Sequence, residues 1–260
     1  MKGIGYNIPD SEYIKRKKES EDAVAEIKKW ASGASIEVDT IIRDTCKSIS
    51  SMLSVNRRYD FMPDINRLKE RILALIYRCM DEGISIASKR NGVEDRQWSR
   101  DNIEDWMPKE EEFRKSADRY VKAFEEEVEY FKSRDWEPKD LYPYISAPIA
   151  YLMQHNGDIQ SFSSSISSIS RGLGYILAYN VVKLATSAVT MAYTNTLKSQ
   201  WSSGVLGRIY GYFGYRRSSY PCELCDENAG VLMPISGDMI YPLHPHCVCG
   251  VIYVRYDEIL

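Results

Sequence analysis

The stretch "CELCDENAGVLMPISGDMIYPLHPHCVC", Cys222 to Cys249, holds four of the six cysteines and two of the three histidines in a chain of 260 residues. Cys222 and Cys225 form a C-x-x-C pair; His244, Cys247 and Cys249 follow some twenty residues later. A C-x-x-C knuckle turns tightly enough to aim two thiolates at one ion, and a second pair from a distant segment completes a tetrahedron. The predicted ligands are Cys222 and Cys225 with two of His244, Cys247 and Cys249. His246 ranks last, since it points away if Cys247 and Cys249 share one side of a strand. The expected cofactor is a structural zinc, which lets a small tail fold without a large core of its own. The competing reading is a metal-free core with one or two disulfides. A redox C-x-x-C lacks the surrounding βαβ pattern. A catalytic zinc needs an open position, which four thiol or imidazole ligands close.

Apolar residues make up 44% and charged residues 27%, which places the chain among globular proteins rather than disordered ones. The net charge of −3 does not by itself point to a nucleic-acid partner, but its distribution is uneven. Asp101 to Asp140 carries 14 acidic and 8 basic residues. Ile159 to Cys222 carries no acid and six basic residues: Arg171, Lys183, Lys198, Arg208, Arg216 and Arg217. Arg208, Arg216 and Arg217, among Tyr212, Phe213 and Tyr215, are the candidate contacts to a nucleic-acid backbone, with rings on which bases stack. A helix buried in a core would also lack acids.

Periodicity gives the layout. Residues 1–18 read as a flexible, partly basic arm. Helices are predicted for "ESEDAVAEIKKWA", for Ile36 to Leu53, and for Asp64 to Ser88 with Asp64 as cap. "KEEEFRKSADRYVKAFEEEVEYFKSRDW" is a long charged helix, and "HNGDIQSFSSSISSIS" a polar one. Another helix follows Gly174 and ends near Gln200. Its apolar stretch, Gly172 to Tyr193, has the length of a membrane span, but Lys183 at its centre favours a buried helix. "RIYGYFGYRRSSY", "GVLMPI" and "GVIYVRY" read as strands. Lone Cys46 and Cys79 read as core. The expected class is α+β: a mainly α-helical body with a small C-terminal β-rich Cys/His module. The expected division is an arm over 1–18, a helical domain over 19–157 and a second domain over 158–260. The basic run Lys15 to Lys18 has no apolar segment after it, so a secretory signal is not expected, and a reducing cytoplasm favours metal over disulfides.

The module also resembles a known family. "AVTMAYTNTLKSQWSSGVLGRIYGYFGYRRSSYPCELCDENAG" followed by "PLHPHCVCGVIYV" is similar to the C-terminal region of the phage Mu protein F-like, or phage head morphogenesis, proteins. The matching positions are Cys222, Cys225, Gly230, Pro242, His244, Pro245, Cys247 and Cys249. The family's Asp-x-Arg before the first cysteine is absent from "YRRSSYPC", and Val248 stands where the family has arginine. The resemblance spans about residues 158 to 256. It implies a minor capsid protein of a tailed phage or prophage, associated with the portal protein and other capsid components. Such a protein is assembled in the host bacterial cytoplasm and carried in the virion interior. No membrane partner is expected.

Two other readings compete. A nuclease or toxin-like enzyme needs an active-site set, and the sequence assembles none: His155 stands alone, and "GLGYILAYN" lacks the third glycine and preceding strand of a dinucleotide loop. A zinc module binding DNA without sequence preference would use the three arginines. It would lack the helix that a groove-reading finger inserts.

Overall fold

The computed structural model describes residues 5–92, 107–133, 175–204, 207–217, 219, 221–237, 243 and 249–260. Their elements, in order, are α1 (Asp10–Val55), α2 (Met62–Asn91), α3 (Met107–Lys132), α4 (Tyr175–Ser202), β1 (Ile209–Tyr215), α5 (Glu223–Asn228), β2 (Met233–Pro234) and β3 (Gly250–Arg255), closed by a 3-10 turn, Tyr256–Glu258. The class is α+β, mainly helical, with one three-stranded antiparallel sheet near the C-terminus.

The chain divides into two compact units that interleave along the sequence, unlike a sequential division at residue 157. One comprises Met1–Ile27, Met80–Trp106 and Ser187–Leu260; the other comprises Lys28–Cys79 and Met107–Thr186.

The second unit is helical. Its side chains bridge α1 to α2 in antiparallel order: Arg78 to Glu37, Arg71 to Asp44 and Ser48 to Asp64. α3 runs antiparallel to α2, with Lys69 on Asp118 at 2.6 Å and the Lys132 ammonium on the Tyr59 carbonyl at 3.2 Å. The apolar stripes of these helices are buried: Val38, Ile41, Ile42, Cys46, Ile49 and Leu53 on α1, then Ile65, Leu68, Ile72, Leu75, Ile76 and Cys79 on α2. On α3 the stripe is Phe113, Ala117, Val121, Phe124 and Val128. Burial pushes the Cys46 thiol up to about 12, so it stays protonated and acts as a small apolar group.

Three expectations need correction. The first two predicted helices are one helix of 46 residues, and the stripe passes through Ala31, Ala34, Ser35 and Val38 without a break. "SGAS" looks like a stop because of Gly33, but a single glycine costs a helix only about 1 kcal/mol, less than the burial on either side returns. The arm expected over 1–18 is folded from Gly5 onward: Tyr6 bridges Ile259, α1 begins at Asp10, and Arg16 is buried. Asp64 is not the cap of α2. It lies in the first turn, where its carboxylate accepts hydrogen bonds from Ser48 Oγ at 2.8 Å and the Tyr59 hydroxyl at 2.7 Å. The Met62 amide donates instead to Asp60. The polar helix read in "HNGDIQSFSSSISSIS" lies outside the described residues. Among the described residues, no helix is long and apolar enough to cross a membrane. Lys183 is half-buried over the Tyr179 ring, and desolvation lowers its pKa to about 8.

Candidate metal site

The sheet of the first unit positions the cysteines. β1 is central, flanked by β2 and β3. Its "IYGYFGY" run sets glycines among aromatics, and at Gly211 the backbone of the neighbouring strand comes too close for a side chain. A Cβ at Gly211 would strike the Met233 carbonyl of β2. Phe213, Ile252 and Val254 form the buried cluster, joined by Tyr6, Ile8, Tyr13, Leu232 and Ile259. Tyr6 stacks on Phe213 at 4.7 Å between ring centroids. On another side Trp201, from the end of α4, meets Tyr212 and Tyr253 at 5.7 and 5.6 Å.

The outer edge of β3 is closed by side chains of α1 rather than by a fourth strand. Ser20 Oγ accepts from the Val251 amide at 3.1 Å, and Arg16 donates to the Tyr253 carbonyl at 2.7 Å. The same guanidinium grips Glu258 through two nitrogens at 2.9 and 2.7 Å, bonds Glu12 at 2.9 Å, and lies 4.1 Å over the Tyr253 ring. Burial raises the Glu258 pKa, but Arg16 and the Arg255 amide outweigh it, leaving the carboxyl below its ordinary value. A cleft of about 280 Å³ opens beside this clasp, walled by Arg16, Arg90, Tyr193, Trp201 and Tyr253. Sequence reasoning missed the clasp, because its partners stand 242 positions apart and no local pattern links them.

The C-terminal end of β1 gathers both cysteine segments. The ladder with β3 runs from Ile209↔Arg255 to Tyr215↔Gly250. There Arg216 leaves the end of β1, and Cys249 immediately precedes β3. The knuckle comes from the other side. Gly214 bridges Ala229, and the Gly230 amide donates to the Gly214 carbonyl at 2.8 Å, which ties the end of α5 to β1. Gly230 then turns the chain at φ 74°, a conformation that favours glycine. Cys222 is the N-cap residue of α5 and Cys225 lies in its first turn, buried at 2% exposure. Asp226 reaches back so that its carboxylate accepts from the Cys222 amide at 3.1 Å. The short helix was not anticipated; six residues are too few to enter a DNA groove.

Arg216 closes the arrangement. Its Nη1 donates to the Cys222 carbonyl at 3.3 Å and pairs with Asp226 at 3.3 Å. Desolvation opposes its charge, but Asp226, Cys249, Cys225 and Cys222 together raise its pKa. Arg217 is exposed, and Arg208 lies 5.2 Å over the Tyr256 ring, at the opposite end of β1. The three arginines form no single patch: one faces the knuckle, one faces solvent, and one packs on the far end of the strand.

Of the predicted ligands, Cys222, Cys225 and Cys249 are brought to the end of β1, while His244 and Cys247 lie outside the described residues. Among the described residues alone, no three Cys, His, Asp or Glu side chains make a group that could hold a metal. Cys222, Cys225 and Cys249 are sulfur donors of the kind a thiolate-rich zinc shell uses, and the other two predicted ligands lie outside the described residues.

The chain matches no family model, no curated protein and no solved structure.

Proposed function

We propose that this chain is a minor capsid or head morphogenesis protein of a tailed phage or prophage. In this reading it is portal-associated and non-enzymatic, and it serves head assembly or DNA delivery. The observation that carries the reading is the C-terminal module. It has the residue order C-x-x-C, Gly230, H-P-x-C-x-C and an apolar strand, and Arg216, just after β1, bonds the Cys222 carbonyl of the knuckle. Zinc, when bound, supplies a cross-link between the knuckle and the segment leading into β3. Cys222 and Cys225 hold it from one side, and two of His244, Cys247 and Cys249 from the other.

Two measurements test this. Protein purified without chelator carries close to one zinc per chain, and a strong chelator abolishes the near-ultraviolet signal of the tyrosine-rich sheet while most of the helical signal stays. Structural zinc sites contribute on the order of 10 kcal/mol to small modules, so the effect is large. Co-purification with a portal protein of the same phage or prophage tests the assembly role; a chain that ignores the portal and the other capsid components is not a head protein. A DNA contact is a weaker element, resting on the acid-free segment. Retention on random DNA that falls steeply with salt supports it, and no retention at low salt removes it.

A further inference from the structure

We propose that the cleft beside the Arg16–Glu258 clasp binds a small aromatic carboxylate, with its ring against Leu197, Trp201 and Ile252 and its carboxylate on Arg90 and the Tyr193 hydroxyl. The described walls all belong to the unit that carries the sheet: α1 on one side, the end of α2 with Arg90, one face of α4, and β3. At about 280 Å³ the cleft lies at the small end of ligand pockets, which suits one ring with one polar substituent.

α4 supplies the observation that points to a ligand. Tyr193, Leu197 and Trp201 recur every fourth residue and so share one face of the helix. Tyr193 is 7% exposed and Trp201 4%. Yet neither the Tyr193 hydroxyl nor the Trp201 indole N–H has a hydrogen-bond acceptor among the described residues. Buried polar groups are nearly always paired, so two orphan donors in the wall of one cleft call for an acceptor that a bound molecule can supply. Burial raises the Tyr193 pKa, which keeps the phenol an O–H donor at neutral pH. The charge at the mouth selects an anion. Arg16 has little to offer, because Glu12, Glu258 and the Tyr253 carbonyl occupy its guanidinium. Arg90 gives one bond to Glu26 at 3.0 Å and one to the Glu19 carbonyl at 3.4 Å, which leaves N–H groups of its fork for a second carboxylate. Glu19 and Glu26 are exposed, so water and salt screen their repulsion of that carboxylate. The rest of the wall is apolar: Leu197, the Trp201 ring and Ile252, beside a Tyr253 ring already covered by Arg16 at 4.1 Å. A flat ring suits that wall, since aromatic pairs gain from stacked or tilted contact.

The test is a ligand-observed NMR titration of the full-length chain with benzoate, and with benzamide and acetate as probes that lack the charge or the ring. Benzoate should show saturation transfer from the protein and a Kd on the order of 1 mM, as a ligand this small allows. Benzamide and acetate should each bind at least about tenfold more weakly. Arg90→Gln and Tyr193→Phe should each weaken benzoate by about tenfold, the loss of one hydrogen bond to a charged group. Arg217→Gln, at an exposed arginine outside the cleft, should stay within about twofold. Tyr193→Phe removes only an oxygen that bonds no described residue, so it decides even where Arg90→Gln does not fold. No saturation transfer to benzoate at about ten times that Kd overturns the inference and leaves a cleft that holds water alone. Benzoate binding that survives Tyr193→Phe, or that survives Arg90→Gln, places the anion elsewhere and overturns it too. Acetate or benzamide matching benzoate overturns the class of ligand proposed.

Discussion

The two compact units are stabilised in different ways. The helical unit, Lys28–Cys79 with Met107–Thr186, draws on repetition: each turn of α1, α2 and α3 adds apolar side chains to the same kind of stripe. The sheet-bearing unit draws on single contacts between positions far apart in sequence. Tyr6 lies on Phe213, Arg16 on Glu258, Ser20 on the Val251 amide, and Arg216 on the knuckle. Repetition distributes stability, so no one side chain decides. Single ties concentrate it, so a few polar residues carry what a larger core would carry elsewhere.

The sharpest way to break this comparison, after zinc removal, is Arg16→Met. The arginine is 2% exposed and bound to two carboxylates and a carbonyl, and methionine would leave Glu258 buried without its cation. Loss of one partner of a buried pair costs about 3 to 5 kcal/mol, and urea unfolding followed by tryptophan fluorescence reads it. A cost under about 1 kcal/mol would mean the clasp is no more than a surface pair. The pH dependence has a definite sign. The Glu258 pKa is lowered from an ordinary value of 4.5. Its stabilisation is therefore complete above that value and is lost as pH falls through the folded-state pKa. Glu258→Gln should flatten the acid limb of the stability profile and leave neutral behaviour with a constant offset.

The same contrast decides what could be read from sequence. Helix stripes are periodic within one turn, so Ile65, Leu68, Ile72 and Leu75 announce their own burial. The spacing of Cys222, Cys225, His244, Cys247 and Cys249 stands out because ligand geometry is a local pattern, but His244 and Cys247 lie outside the described residues. The strands were legible too: "RIYGYFGYRRSSY" contains β1, and "GVIYVRY" contains β3. What escaped was long-range. Residues 10–18 look like a basic arm because the partner of Arg16, Glu258, is nearly a chain length away. Arg216 and Arg217 look alike until the fold sets Arg216 on the Cys222 carbonyl and Asp226 and leaves Arg217 exposed. The fusion of two helices into α1 escaped for another reason: a glycine in a turn and a glycine in a helix read alike locally.

A smaller effect of opposite sign in the two units sharpens the comparison. Glycine to alanine inside a helix ordinarily stabilises by about 0.5 to 1 kcal/mol. In the sheet-bearing unit, Gly83 of α2 is where α4 approaches: an added Cβ meets the Val189 carbonyl, with Ala192 Cβ at 2.7 Å and the Tyr193 amide nitrogen at 2.8 Å. Those are mostly backbone atoms, which cannot step aside as a flexible side chain would. Overpacking costs about 1 to 3 kcal/mol and exceeds the propensity gain, so Gly83→Ala should lower the melting temperature.

Gly33 is the counterpart in the helical unit, and its effect is the smallest. It sits inside α1, and a Cβ added there meets nothing within 4 Å. No steric term opposes the propensity term, so the substitution should act almost entirely by restricting the unfolded chain. Gly33→Ala should therefore raise stability by about 0.5 to 1 kcal/mol, a melting-temperature rise of a degree or a few. A neutral or destabilising result would mean that α1 needs a weak point at "SGAS", where the sequence suggests a break. In that case the 46-residue helix would act as two segments in solution, and the claim that repetition alone carries the helical unit would fail at its longest element.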